Sequence, residues 1–359
     1  MLLVILNLLF VLGCSTDTET IQSFDVNTSE SQEETAKIES YKEETDENQS
    51  DSGDGSEQED PIPEVEQVPK SVEEIDIFPK NHPLNTAISN RPIDENSDLI
   101  LANIGLDVNI FADFGSGTYL GEPMGVPYVV VNGMQPRVPI TFRQNSTSGN
   151  YGHESDQGPF PIPLDAPIEA DFSEDGHVIA VDVDNQMLYE LYNADQVGKG
   201  FDVSSAAVFD LKTIEYRPDG WTSADAAGLP IFPLLIRYSE VETGEIDHAI
   251  RFSLSRSKIY EGYVHPARHL VNGKKEKQLL PFGGRLRLKA DFDISGYSLE
   301  NQVILRALKK YGLMLADVGR DMFMKGNPHE KWNNIDLRDL RKVKISDFDV
   351  VELGEIKVK

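Results

Sequence analysis

Cysteine occurs once in this chain of 359 residues, at Cys14, and that scarcity limits how the chain can be stabilised. No intramolecular disulfide can form, so any folded part must be held together by a hydrophobic core. Residues 15–70 cannot supply that core, because they carry 18 acidic and only 3 basic side chains. Such a high net charge with few aromatic residues buries too little apolar surface to offset the entropy of ordering. We therefore predict an acidic, disordered tether up to residue 70 and a single globular domain over residues 71–359.

The first fourteen residues predict an export signal. Residues 2–12 are apolar except for Asn7, and the run closes with Leu12, Gly13 and Cys14. An apolar run that ends at small residues is typical of a secretory signal peptide, whereas a transmembrane helix needs about 20 apolar residues. The closing sequence Val-Leu-Gly-Cys resembles the lipobox of bacterial lipoproteins. That resemblance implies a signal peptide over residues 1–13, cleavage before Cys14 and acylation of its sulfur with fatty acids such as palmitate.

A lipidated Cys14 predicts where the protein resides. Residues 14–70 would then tether the globular domain to the cell membrane or the outer membrane, outside the cytoplasm. Two acyl chains anchor firmly, because each buried CH₂ group adds about 0.8 kcal/mol. Residues 71–359 carry a net charge of −13, which argues against nucleic acid as a partner. The expected partners are the membrane, through the lipid, and a polysaccharide.

Short β-type runs separated by turn residues dominate the globular part and predict a mainly-β fold. About nine strands can be placed, which is typical of a β-sandwich or jelly-roll-like domain with a few peripheral helices. An Asn-Gly pair at residues 132–133 and an Asp-Asn pair at residues 184–185 predict two hairpins. Ser298 is a candidate N-cap for a helix through Leu315, and a second short helix is predicted over residues 336–342.

Three titratable side chains are candidate catalytic residues: Glu190, Asp225 and His248. The two carboxyl groups are suited to general acid–base work, and a histidine titrates near neutral pH. His248 and Asp225 can also have purely structural roles. His248 shares a strand face with Ile246 and Ile250, which is typical of a core histidine, and Asp225 can cap a short turn.

Trp221 and His269 are candidate substrate-binding residues. The ring of Trp221, in a stretch of small residues over 220–230, can stack on the face of a sugar, or it can simply pack the loop. His269 follows His265 by four residues, but Pro266 disfavours the helix that a zinc site with this spacing needs. The chain also has no P-loop, no Gly-x-Gly-x-x-Gly and no Gly-x-Ser-x-Gly motif. We therefore predict neither a metal nor another cofactor.

A row of charged residues alternates with apolar ones along residues 285–294. Arg285, Arg287, Lys289, Asp291 and Asp293 would share one face of a strand. Such a row is typical of a solvated outer face. In a jelly roll it could instead form the floor of an open groove, where arginine binds sugar hydroxyls or carboxylates.

Four sequence blocks resemble a family of secreted bacterial proteins of unknown activity. They are residues 159–163, 188–192, 220–230 and 289–296. The resemblance spans residues 78–351 and excludes the tether. It implies no catalytic residues, because none is established for the family.

Two functions from different classes fit these features. The first is a polysaccharide-active enzyme, a hydrolase or lyase, that works in a groove of a β-sandwich. The alternative is a non-catalytic glycan-binding or structural lipoprotein of the cell envelope. A close pair of carboxyl groups, or a cluster of His, Tyr and Arg side chains, at the floor of a cleft favours the enzyme. Flat aromatic side chains without such a cluster favour the binding protein.

Overall fold

The computed structural model describes residues 70–144, 149–169 and 175–358. These residues belong to one compact unit, Val65–Lys359. The signal peptide, Cys14 and the tether up to residue 69 lie outside the described residues, so those assignments stay predictions. No helix in the described ranges is long and apolar enough to cross a membrane.

The prediction of a mainly-β domain with peripheral helices is confirmed. The strands are β1 (Phe111–Asp113), β2 (Thr118–Tyr119), β3 (Glu122–Pro123), β4 (Val129–Val131), β5 (Ile140–Phe142), β6 (Val178–Asp182), β7 (Met187–Tyr192), β8 (Asp195–Val197), β9 (Gly200–Val203), β10 (Ser205–Asp210), β11 (Ile250–Leu254), β12 (Ile259–Tyr263), β13 (Leu280–Phe282), β14 (Arg285–Leu288), β15 (Leu313–Val318), β16 (Phe323–Lys325) and β17 (Phe348–Val350). The α-helices are α1 (Ser97–Ile104), α2 (Tyr238–Thr243), α3 (Leu299–Lys310) and α4 (Asn334–Asp339).

The largest sheet has six strands in the order β1-β16-β11-β15-β14-β17 and mixes parallel with antiparallel pairs. Helix α3 packs against β14. Its predicted start is confirmed, because the Ser298 hydroxyl accepts a hydrogen bond from the Asn301 N–H. Its predicted end is wrong. The chain turns at Gly312, whose φ is 73°, and Leu315 belongs to β15. Left-handed φ values of this kind favour glycine and end helices.

A second sheet has four strands in the order β10-β7-β6-β4 and is buried on both faces. Ile179 and Val181 of β6 face the large core, whereas Val178 and Ala180 face a second apolar cluster. This split follows the two-residue period of a strand. The hairpin predicted at residues 184–185 is confirmed by the antiparallel pairing of β6 with β7.

The hairpin predicted at residues 132–133 is wrong. Strand β4 pairs in parallel with β6, and β5 pairs in parallel with β9 of a three-stranded sheet. The two strands that flank the Asn-Gly turn therefore enter different sheets. Local turn chemistry gave the turn correctly, but non-local pairing decided the partners.

The charged row predicted over residues 285–294 is shorter than expected, because β14 ends at Leu288. Its two arginines bind the segment that precedes α1. Arg285 donates to the Thr86 carbonyl at 3.2 Å, and Arg287 donates to the carbonyl of Arg91 at 2.8 Å. Arg285 is buried, so this part of the row is neither a solvated face nor the floor of an open groove.

Candidate functional site

Charged side chains interrupt the apolar alternation on one face of the six-stranded sheet. Asp113 lies opposite Lys325 in the β1–β16 pair. The antiparallel register of β11 with β16 sets Phe252 opposite Met324, which places Arg251 next to Lys325. Residues that oppose one another across strands point to the same face, so Asp113, Lys325 and Arg251 lie side by side.

Arg251 is buried and holds two carboxyl groups. Its Nε donates to Oδ2 of Asp225 at 3.1 Å, and its Nη2 donates to Oδ2 of Asp317 at 3.3 Å. Burial alone would lower the pKa of Arg251, but Asp225 and Asp317 raise it above its ordinary value. Burial raises the pKa of Asp225 to about 8 against the opposing pull of Arg251. The guanidinium thus links an enclosed carboxyl group to a partly exposed one.

His177 lies just before β6 and pairs with Glu169. Its Nδ1 contacts Oε2 of Glu169, and its Nε2 lies 3.0 Å from the carbonyl oxygen of Ala224. Both ring nitrogens face oxygen atoms, an arrangement that favours the doubly protonated imidazolium. Burial opposes this charge, but Glu169 and Asp175 raise the pKa of His177 to about 9. Glu169 in turn has a pKa well below its usual range, because Lys325 and His177 outweigh its burial.

Lys325 connects Glu169, the partner of His177, with Asp113 of β1. Its Nζ lies 3.2 Å from Oε1 of Glu169 and 2.9 Å from Oδ2 of Asp113. We call the whole set the ionic cluster. Its members are Asp113, Glu169, Asp175, His177, Glu190, Asp225, Arg251, Asp317 and Lys325.

Acids outnumber bases in the ionic cluster, which has cations only at His177, Arg251 and Lys325. A buried site cannot hold a large excess of negative charge, so some carboxyl groups must keep their protons. Three carboxyl groups have raised pKa values, with burial as the main cause: Asp175 at about 6, Glu190 at about 7 and Asp225 at about 8. The cluster therefore stores protons that can exchange near neutral pH.

Asp175 and Asp317 are neighbouring carboxyl groups of the ionic cluster. Both are partly exposed, and the Asp317 side chain retains 22% of its accessible surface. Burial raises the pKa of Asp175, His177 lowers it, and the negative charge of nearby Asp317 raises it further. One carboxyl group that keeps a proton beside another held in an ion pair is the arrangement that separates an acid from a base.

Glu190 has the contacts of a structural residue. It is fully buried, and Oε1 accepts hydrogen bonds from the N–H groups of Ile231 and Phe232 at 2.8 Å each. These bonds fix the start of a 3₁₀ turn, Phe232–Leu234. The structure leaves Glu190 no exposed surface for a substrate.

His248 is buried and contacts Glu240 and the backbone of Ala249. Its Nε2 lies 3.1 Å from Oε1 of Glu240, and its Nδ1 lies 2.7 Å from the carbonyl oxygen of Ala249. Asp225 instead contacts Arg251. These contacts give His248 and Asp225 different partners, and the catalytic roles of Glu190, Asp225 and His248 stay predictions.

Trp221 and His269 both lie at the loop over residues 220–230. The guanidinium of Arg217 sits 5.6 Å from the centre of the half-buried Trp221 ring. His269 Nδ1 lies 2.9 Å from the carbonyl oxygen of Ala226. Gly228 shapes the loop with φ at 70°, and a Cβ there would lie 2.5 Å from the Trp221 carbonyl oxygen. Substrate binding by Trp221 and His269 stays a prediction.

Sequence reasoning missed most of the ionic cluster, including Asp175, His177, Arg251, Asp317 and Lys325 as a group. A usable signal was present at Arg251 and Lys325, which are long cations at the positions of two apolar strands that face the core. In the described part of the chain, no group of three His, Cys, Asp or Glu side chains could hold a metal ion. No protein-family model matches the chain, and no curated protein or solved structure matches it either.

Replacing Glu190 tests its structural role. Glu190→Leu is expected to cost about 2–5 kcal/mol of unfolding free energy, because two buried N–H groups lose their acceptor. Glu190→Gln keeps the oxygen that accepts both bonds, so its cost should be about 1 kcal/mol. Urea unfolding of both variants measures the difference. Equal costs for the two substitutions would contradict the role.

Proposed function

We propose that the protein is a polysaccharide-active enzyme of the cell envelope, a hydrolase or lyase, with Asp175 and Asp317 as acid and base. The observation that supports this most is the contrast between the two carboxyl groups. Asp175 keeps a proton up to about pH 6, whereas Asp317 is ion-paired with the buried Arg251. Two neighbouring carboxyl groups with opposite surroundings suit the cleavage of a glycosidic bond.

In hydrolysis, protonated Asp175 gives its proton to the glycosidic oxygen as the bond from that oxygen to the anomeric carbon breaks. Asp317 takes a proton from the water whose oxygen bonds to the same carbon. One water is consumed, and its second proton stays on the new hydroxyl group. Arg251 positions Asp317, and the charge of His177 acts on Asp175.

The envelope location is part of the same proposal. The lipobox-like sequence that ends at Cys14 supports export and lipid anchoring, and the acidic stretch after it supports a long tether. A tethered domain outside the cytoplasm can reach the polysaccharides of the cell surface.

Activity on a panel of envelope and extracellular polysaccharides tests the proposal with the full-length protein. New reducing ends report hydrolysis, and ultraviolet absorbance of unsaturated ends reports elimination. Asp175→Asn and Asp317→Asn should each lower kcat about 10²- to 10⁴-fold. The wild-type rate should fall as the pH rises through about 6, because Asp175 then loses its proton.

Asp247→Asn is the matched control, because Asp247 is exposed and stands outside the ionic cluster. It should leave the rate unchanged. Full activity in either cluster variant would overturn the assignment of roles. Retention of the wild-type protein on a polysaccharide that it does not cleave would favour the non-catalytic glycan-binding protein instead.

A further inference from the structure

A pocket of about 190 Å³ lies at the start of β14, and neither Asp175 nor Asp317 is among its walls. Its walls come from the segment before α1, the turn after β12 and the segment after β17. The chargeable side chains among its walls are Arg91, His265, Arg285 and Glu352. Drug-sized ligand sites measure about 300–1,000 Å³, so this volume suits a small acid or a single sugar unit.

Arg285 is a buried cation without an acidic partner among the described residues. Its Nη1 donates to the Thr86 carbonyl at 3.2 Å and its Nη2 reaches the Leu84 carbonyl at 3.5 Å. Its Nε is buried and has no hydrogen-bond partner in the described part of the chain. Burial, aided by the charge of Arg91, lowers the pKa of Arg285 to about 9, so the side chain is still a cation at neutral pH.

The other buried arginines differ from Arg285 because each has an acidic partner. Every other arginine buried in the described ranges forms an ion pair with a carboxyl group: Arg217 with Asp156, Arg237 with Glu240, and Arg251 with Asp317. A buried charge without a partner is costly, and an anion from outside the chain would supply the missing charge.

Arg91, His265 and Glu352 are the other chargeable side chains that line the pocket. Arg91 brings a second guanidinium, whose Nη2 donates to the backbone carbonyl of Glu352 at 3.1 Å. Burial lowers the pKa of His265, so its neutral ring adds a hydrogen-bond donor without charge. The carboxylate of Glu352 opposes an anion, but Glu352 is exposed, where solvent screens its charge.

We infer that this pocket binds a small oxyanion, a carboxylate or phosphate group, between Arg285 and Arg91. The Nε–H and a second N–H of one guanidinium form a planar fork that matches two oxygens of such a group. A carboxylate of an acidic sugar and a free phosphate share this chemistry. The inference does not depend on the proposed catalytic function.

Calorimetric titration of the full-length protein tests the inference with glucuronate, inorganic phosphate and glucose as probes. Saturable binding of glucuronate or phosphate, with none of glucose, is expected. Binding of glucuronate alone identifies a carboxylate ligand, and binding of phosphate alone identifies a phosphate ligand. Arg285→Met should weaken binding about 10- to 100-fold, because a bidentate charged contact is lost.

A second variant covers the case in which Arg285→Met fails to fold. Arg91→Gln changes an exposed residue and should still weaken binding about 10-fold. Arg256→Gln, on an exposed side chain outside the pocket walls, should leave binding unchanged. Equal binding of glucose, no saturable binding of either anion, or unaltered affinity in Arg91→Gln would each overturn the inference.

Discussion

Arg251→Met is expected to lower the free energy of unfolding by about 3–5 kcal/mol. The variant keeps a long side chain but removes the cation that faces Asp225 and Asp317. Asp225 has almost no exposed surface, so neither water nor another cation can replace the guanidinium without rearrangement. Urea unfolding monitored by tryptophan fluorescence gives the change directly.

Two further variants separate charge from packing at Arg251. Arg256→Met removes an exposed arginine and should change stability by less than about 0.5 kcal/mol. The double variant Arg251→Met with Asp317→Asn should recover part of the loss, because it leaves no unpaired carboxylate at Asp317. A loss below about 1 kcal/mol for Arg251→Met alone would show that Arg251 does not form a stabilising buried ion pair.

The stability of the domain is expected to fall as the pH rises from about 6.5 to 9. The pKa of His177 is raised from 6.5 to about 9 in the folded protein, so folding strengthens proton binding there. The resulting stabilisation is complete below pH 6.5 and is lost as the pH passes through 9. A shift of this size corresponds to a loss on the order of 3 kcal/mol. The pKa of Asp225 is raised from 3.8 to about 8, so its contribution falls in the same direction, but over the range from pH 3.8 to about 8.

Unfolding curves at a series of pH values measure this fall, and two histidine variants identify its source. His177→Gln should make the dependence between pH 6.5 and 9 clearly shallower. His153→Gln should not, because 75% of the His153 side chain is exposed. An unchanged slope in His177→Gln would contradict the imidazolium assignment. Glu169 has the opposite effect on the pH dependence of stability. Because its pKa is lowered from 4.5, it stabilises the fold above about pH 4.5, and this contribution is lost as the pH falls.

The sequence predicted those parts of the fold that depend on neighbouring residues. Ser298 marks the start of α3 because an N-cap bonds within its own first turn. The β6–β7 hairpin likewise follows from its turn and from the alternation of its strands. The pairing of β4 with β6 was not predictable in this way, because more than forty residues separate the two strands.

The candidate site was predicted only in part, for the same reason. Glu190 and Asp225 were identified as carboxyl groups in distinctive stretches, but their burial depends on packing between segments that lie far apart in the chain. The contact between Asp225 and Arg251 joins a loop to a strand in a different part of the chain. The pKa of Asp175 depends on His177, and Asp317 forms its ion pair with Arg251. Only the tertiary fold brings these residues close to one another.

The carboxyl titration of Asp175 tests the central claim most directly, since it needs no substrate. Carbon-13 NMR of the aspartate carboxyl carbons, with Asp175→Asn to assign the signal, gives its pKa in the folded protein. We predict a value of about 6, which falls in Asp317→Asn because that variant removes a nearby negative charge. A value near 4 that Asp317→Asn leaves unchanged would contradict the pairing of these two carboxyl groups and the acid–base site built on it.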